Sequence, residues 1–194
     1  MADSALWPLF VNAALVNNFV LAYFLGICPF LGVSGKLDSA ARMGVAVTFV
    51  MLIASLCAFG IHQVLVALDA RYLELIAFIV VIAATVQLVE MFVRKTSPAL
   101  FRALGLYLPL ITTNCAILAV ALFQTNRAYA FVESLVFALG AGAGFTLALL
   151  LIAGIREKLG LGAVPDLAQG MAITLVLAGI LSLSFMGFAG MGTL

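Results

Sequence analysis

Chemistry in an apolar chain falls to the few side chains that can hold charge, a proton or a metal, and here two cysteines stand out by their company. Cys28 lies in Gly26-Ile27-Cys28-Pro29-Phe30-Leu31-Gly32, and Cys115 closes Leu108-Pro109-Leu110-Ile111-Thr112-Thr113-Asn114-Cys115. Glycine and proline loosen a helix, while Thr and Asn bring polar groups whose burial in hydrocarbon is costly unless they are satisfied. Such segments are tolerated where the freed backbone surrounds something. The third cysteine, Cys57, sits in Ala54-Ser55-Leu56-Cys57-Ala58-Phe59 with no helix breaker, and reads as packing.

Two thiols admit three readings. As small apolar side chains they could fill a core. Membrane disulfide exchangers usually use an accessible pair, often Cys-x-x-Cys, which this chain lacks. Iron–sulfur chemistry calls for four thiolates around a [2Fe–2S] cluster, so two cysteines make half a site. The other half would come from a second chain of the same architecture.

The elements that must position these thiols are membrane spans. Of 194 residues, 66% are hydrophobic and 9% charged, against roughly 25% charged in a soluble domain. Mean hydropathy is +1.30, and apolar runs repeatedly reach the ~18–20 residues needed to cross a bilayer. The composition indicates an all-α polytopic membrane protein forming one transmembrane domain over 1–194. A net charge of +1 without basic clusters argues against nucleic acid as a partner. Met1-Ala2-Asp3-Ser4-Ala5 lacks a positive leader, which predicts that the first apolar run is retained.

Charged and turn-forming residues divide the chain into six spans, near 6–33, 43–68, 75–93, 103–123, 128–155 and 170–188. The first is too long for one straight crossing, which implies a break or an interfacial entry near Pro8. Lys36, Arg42, Arg94, Lys95, Arg102, Arg156 and Lys158 fall in the odd-numbered connections, and only Arg71 and Arg127 in the even ones. The positive-inside rule then places both termini outside, at the periplasmic face. Trp7, Tyr72, Tyr107 and Tyr129 fall near span ends, as an interfacial belt would.

The cysteine segments are 87 residues apart (115 − 28 = 87), and the same offset carries Asp69 onto Arg156. That rhythm predicts a 3+3 inverted repeat, approximately 1–98 and 99–194, with broken first and fourth helices whose breaks lie near the midplane. Cys115 is about 11 residues into its span, or roughly 17 Å at helical rise.

The remaining polar residues are read more plainly. Asn12, Asn17 and Asn18 are interhelical bonding partners, Asn17 and Asn18 alternatively lining an ion path. Gln87 and Glu90 are the other ion-path candidates, although Glu90 stands four residues before Arg94 and suits a helix-end ion pair. His62 and Glu133 are interfacial. Gly140, Gly142 and Gly144 permit close helix approach and form no phosphate loop.

Leu15-Val16-Asn17-Asn18-Phe19-Val20-Leu21, the two cysteine motifs, Val93-Arg94-Lys95-Thr96-Ser97-Pro98, Gly154-Ile155-Arg156-Glu157 and Ser184-Phe185-Met186-Gly187-Phe188 together resemble the A-type subunits of Rnf complexes, the ion-translocating ferredoxin:NAD oxidoreductases. The E-type subunits of sodium-pumping NADH:quinone reductases are the next relatives. The resemblance spans essentially the whole chain. It implies a protein of the bacterial cytoplasmic (inner) membrane, paired with a homologous, inverted E-type subunit. Flavin-bearing and further iron–sulfur subunits would complete the complex, and ferredoxin and NAD would bind those. Cys28 and Cys115 would be two ligands of an intramembrane [2Fe–2S] cluster, in an environment of Gly26, Ile27, Pro29, Thr113, Asn114 and Ala116. The complex would couple electron transfer to Na+ or H+ movement, with no substrate-binding catalytic site in this chain. A stand-alone inverted-repeat permease and a non-redox membrane scaffold are the rival readings.

Overall fold

The computed structural model describes residues 3–33, 35–69, 71–96, 114–160 and 171–188. Every regular element among them is helical: α1 (Asp3–Val11), a π-helical turn (Asn12–Val16), α2 (Ile27–Val33), α3 (Leu37–Ala67), a 3-10 turn (Arg71–Leu73), α4 (Glu74–Thr96), α5 (Cys115–Asn126), α6 (Phe131–Gly160) and α7 (Met171–Met186). Three helices are long and apolar enough to cross a membrane, over Leu37–Ala67, Glu74–Met91 and Phe131–Leu159. Leu6–Val16, Cys115–Asn126 and Ala172–Met186 are shorter apolar helices. Expected span residues 103–113 lie outside the described residues.

Two helices run past the cytoplasm-side ends expected for their spans, whereas Phe131–Gly160 starts later than residue 128 and Met171–Met186 falls just inside 170–188. α3 begins at Leu37 rather than residue 43, and its added turns carry the exposed Asp38 and Arg42, which pair at 3.0 Å one turn apart. α6 likewise continues to Gly160, past the basic Arg156 and Lys158. Polarity marks where hydrocarbon ends, whereas the helix stops where its backbone bonds run out.

α3 and α6 form the spine and make the most extensive contact among the described elements. Ala40, Met43, Val47, Met51, Ala54 and Ala58 line the buried stripe of α3 at three- and four-residue spacing. Ala138, Ala141, Phe145, Ala148, Leu149 and Ile152 answer from α6. The two helices run antiparallel and touch at a reciprocal pair of small residues. A Cβ on Gly44 would come within 2.5 Å of Thr146, and one on Gly142 within 2.5 Å of Thr48. Each threonine hydroxyl returns its proton to a carbonyl one turn back, Thr48 to Gly44 and Thr146 to Gly142, both at 2.8 Å. Backbones that approach this closely gain dispersion contacts, which is how membrane helices associate without a hydrophobic drive between them. Gly142→Ala should therefore destabilise the protein by about 1–3 kcal/mol through overpacking. Gly154→Ala, on the same helix but facing open space, should be neutral or slightly stabilising. Thermal unfolding of the two variants in one detergent checks the contrast.

α4 packs on α3 and α5 with one stripe, Phe78, Ile82 and Val86, and leaves Ile76, Ile79, Val80, Leu88 and Met91 exposed. His62 Nδ1 and Glu74 Oε1, 2.8 Å apart, tie the end of α3 to the start of α4, so His62, expected at an interface, is held by a carboxylate. Trp7 and Tyr72 are exposed, as a belt requires. Tyr129 instead turns inward, its ring 5.3 Å from that of Phe137, and Tyr107 lies outside the described residues.

Candidate metal centre

The first apolar run stops being helical at the Asn17-Asn18 pair. Asn18 Oδ1 accepts from the backbone N–H of Val20 at 3.0 Å and of Leu21 at 3.3 Å, a local turn that competes with helix. Its Nδ2 donates to the carbonyls of Ala14 at 3.1 Å and Gly144 at 2.7 Å. This buried amide thus shapes the local turn through Ala14, Val20 and Leu21 and ties it to α6 through Gly144. A Cβ on Gly144 would lie 2.5 Å from the Ala14 carbonyl, so glycine is what admits the contact. Asn17 donates to Asn12 Oδ1 and accepts from Tyr23 Oη at 3.1 Å. Both Asn17 and Asn18 line a cavity of about 380 Å³ with Ser182, whose hydroxyl donates to the Leu21 carbonyl at 2.6 Å.

The turn region ends at Gly26, whose φ of +81° is open to glycine at no steric cost. Space enforces the same choice, since a Cβ there would meet the Phe145 ring at 2.7 Å and Asn114 Oδ1 at 3.2 Å. α2 begins at the next residue, Ile27. Pro29 falls in its first turn, where the missing N–H costs no helical bond. Cys28 is exposed beside it.

The second cysteine also opens a helix. Asn114, in extended conformation, caps α5 by accepting from the Ala116 N–H at 3.0 Å, and Cys115 is the first residue of that helix. The two segments meet directly: the Gly26 N–H donates to Cys115 Sγ at 2.9 Å. Cys115, like Cys28, is exposed, whereas cysteine is ordinarily among the most buried residues. Asn114 is 4% exposed, and its Nδ2 has no hydrogen-bond partner among the described residues.

The expected site residues therefore divide cleanly. Gly26, Ile27, Cys28, Pro29, Asn114, Cys115 and Ala116 gather at the adjoining starts of α2 and α5. Thr113 lies outside the described residues. Gln87 is exposed and Glu90 half-buried on α4, whose main contacts are with α3 and α5. Cys57 is half-buried in the α3–α4 seam and accepts from Thr85 Oγ1 at 3.7 Å. Among the described residues, no three His, Cys, Asp or Glu side chains come together.

Chemically, the centre offers two thiols at the bundle surface, both within a helix's first turn, where the partial positive charge of free amides favours anionic ligands. It offers a backbone N–H already aimed at one sulfur and a buried amide donor beside it. That donor set suits a soft, negatively charged group and supplies it with half a coordination shell.

The sequence gives no direct notice of a second polar cluster. Ser55 of α3, Gln124 of α5 and Ser134 of α6 are all 1–2% exposed. Gln124 reads in sequence as a connecting residue, but it extends the buried Ile117, Ala121 stripe of α5 by one further turn. That continuation is the available signal.

Among the described residues, three long apolar helices with shorter ones beside them define a multi-pass membrane protein. The family described as "Rnf-Nqr subunit, membrane protein" matches residues 6–192, and the chain belongs to it. Similar proteins include the A-type subunit of the ion-translocating oxidoreductase complex of Syntrophotalea carbinolica, 57% identical over 182 residues (93% of this chain and 94% of that protein). Proteins of the same description from Serratia proteamaculans and Citrobacter koseri are 56% and 55% identical over 184 residues, covering 94% of this chain and 95% of each relative.

Proposed function

We propose that this chain is the A-type membrane subunit of an ion-translocating oxidoreductase complex and provides Cys28 and Cys115 to an intramembrane [2Fe–2S] cluster. The observation that carries the reading is the Gly26 N–H bond to Cys115 Sγ, which brings the two cysteine segments together while both thiols remain exposed. A pair of packing cysteines would sit within a helix seam, as the half-buried Cys57 does. The relatives' description as members of an ion-translocating oxidoreductase complex supports the setting.

Such a cluster, when bound, supplies one-electron transfer. The chain's own residues hold and screen it. Cys28 and Cys115 bind through sulfur, Gly26 donates its N–H to Cys115, and Asn114 Nδ2, without a partner among the described residues, provides a second donor. Hydrogen bonds to sulfur are among the features that set a cluster's potential. Phe145 and Ala116, both fully buried, back the site on the bundle side and keep water from that flank. Both cysteines are exposed, which leaves them open to the homologous inverted partner that would supply the remaining thiolates. Ferredoxin, NAD and flavin chemistry belongs to other members of the complex. Iron, acid-labile sulfide and a [2Fe–2S] EPR signal in the purified complex test the reading, and a complex without them would overturn it in favour of a permease or scaffold.

The reciprocal Gly44–Thr146 and Gly142–Thr48 contact supports the 3+3 inverted repeat, because it pairs the second expected span with the fifth in antiparallel register. The bias of lysine and arginine supports an inner-membrane orientation with both termini periplasmic. A reporter fused after Leu194 should then be active only outside the cytoplasm, and one inserted in residues 94–102 only inside. A cytoplasmic C-terminal reporter on an intact protein contradicts this orientation.

A further inference from the structure

A polar side chain on the outside of a membrane bundle has to be matched by something, and α4 carries one that the described residues leave unmatched. While Phe78, Ile82 and Val86 pack against the rest of the bundle, the outward face of α4 runs through Ile76, Val80, Ala84, Gln87, Leu88 and Met91, all exposed. Gln87 belongs to the Glu74–Met91 span. At helical rise it stands about 20 Å beyond Glu74 and about 12 Å short of the exposed Lys95, inside a hydrocarbon core of about 30 Å. Its amide makes no hydrogen bond to any described residue. Lipid chains offer it none, so an amide left there is costly.

α7 shows what a lipid-facing surface looks like in the same bundle. Leu175, Val176, Ile180 and Leu183 are exposed along it. The exposed Ser184 on that helix donates to its own Ile180 carbonyl at 2.9 Å, which lets a hydroxyl meet lipid without an outside partner. Gln87 makes no such return to α4. The face of α7 is satisfied as it stands, and the face of α4 is not.

Shape points the same way. Val80, Ala84, Gln87 and Met91 recur at four-, three- and four-residue spacing, the stripe along which a second helix packs at a shallow crossing angle. Ala84, one turn before Gln87, lowers the ridge and lets a neighbouring backbone come within reach of the amide. Met91 is a side chain that adapts to whatever it meets.

We infer that this face of α4 packs, within the membrane, against a helix of another subunit of the complex, one that offers a hydroxyl, an amide or a free carbonyl at the depth of Gln87. The surface lies on an element that carries none of the cysteine-centre residues. The inference rests on membership of a complex, as in the proposed function, and not on the cluster.

The test uses the whole complex in its native membrane, with photoreactive benzoylphenylalanine replacing Leu88 or, as the control, Leu183 of α7. Illumination should join position 88 to a membrane-spanning peptide of another subunit, identified by mass spectrometry, and position 183 to lipid. Lipid adducts alone at position 88 would overturn the interface, and adducts to a second copy of this chain would overturn its partner. Should the Leu88 variant fail to assemble, Met91 reads the same face. Gln87→Leu should weaken the association of the cross-linked subunit roughly three- to fifteenfold, the worth of one interhelical hydrogen bond, read as co-purification across a detergent series. Unchanged retention would overturn the hydrogen bond. Absence of the other subunits from the unmodified preparation would instead count against the proposed function, so the two failures are distinguishable.

Discussion

Replacing either Cys28 or Cys115 by serine in the assembled complex should remove the [2Fe–2S] EPR signal and stop electron transfer through this chain, whereas Cys57→Ser should preserve both. The expectation follows from ligand chemistry. A soft thiolate suits iron–sulfur ligation, and a serine hydroxyl is a poor substitute for it. The structure makes the comparison fair, because the hydroxyl of Cys115→Ser can still accept from the Gly26 N–H and leave the junction of α2 and α5 in place. Loss of signal would then report on ligation rather than on folding. At position 57 a hydroxyl can likewise accept from Thr85 Oγ1 within the α3–α4 seam. Loss of the signal in Cys57→Ser with retention in Cys115→Ser would reverse the assignment. Size-exclusion profiles of the three variants show whether each complex has assembled.

How the cysteines differ is legible in their sequence neighbours. Gly26, Pro29 and Asn114 are residues with defined backbone consequences, and each appears in the role its type dictates: a positive φ, a first-turn proline and an N-cap. Long apolar helices are equally legible, since α3, α4 and α6 answer to expected spans with ends shifted by a few residues. What pattern alone does not reach is the partner of each polar atom. Asn18 is an ion-path candidate by type and place, yet its four bonds to Ala14, Gly144, Val20 and Leu21 make it a staple. Ser134 is one hydroxyl among several in apolar helices. What distinguishes it is an Oγ beside Gln124 without a partner among the described residues, and that depends on three helices meeting. Interhelical geometry is non-local, so a single chain's periodicity carries little of it.

Expressed without its complex, the protein should hold no stable [2Fe–2S] centre. A cluster of this kind takes four thiolates, and the centre at the starts of α2 and α5 presents two. Cys57 cannot make up the difference, because α3 has no break to release it and its sulfur is engaged within the seam with α4. A second copy of the same chain is a poor rescue. Two identical chains inserted the same way form an isologous interface with its axis along the membrane normal. A shared midplane site between inverted relatives needs an axis in the membrane plane, which identical topology does not provide. Co-expression with the inverted homologue should restore about one cluster per heterodimer by this ligand count. Iron and acid-labile sulfide per mole of protein measure the outcome directly. Full occupancy in the isolated protein would mean that side chains other than these cysteines complete the shell, and the shared centre would have to be abandoned.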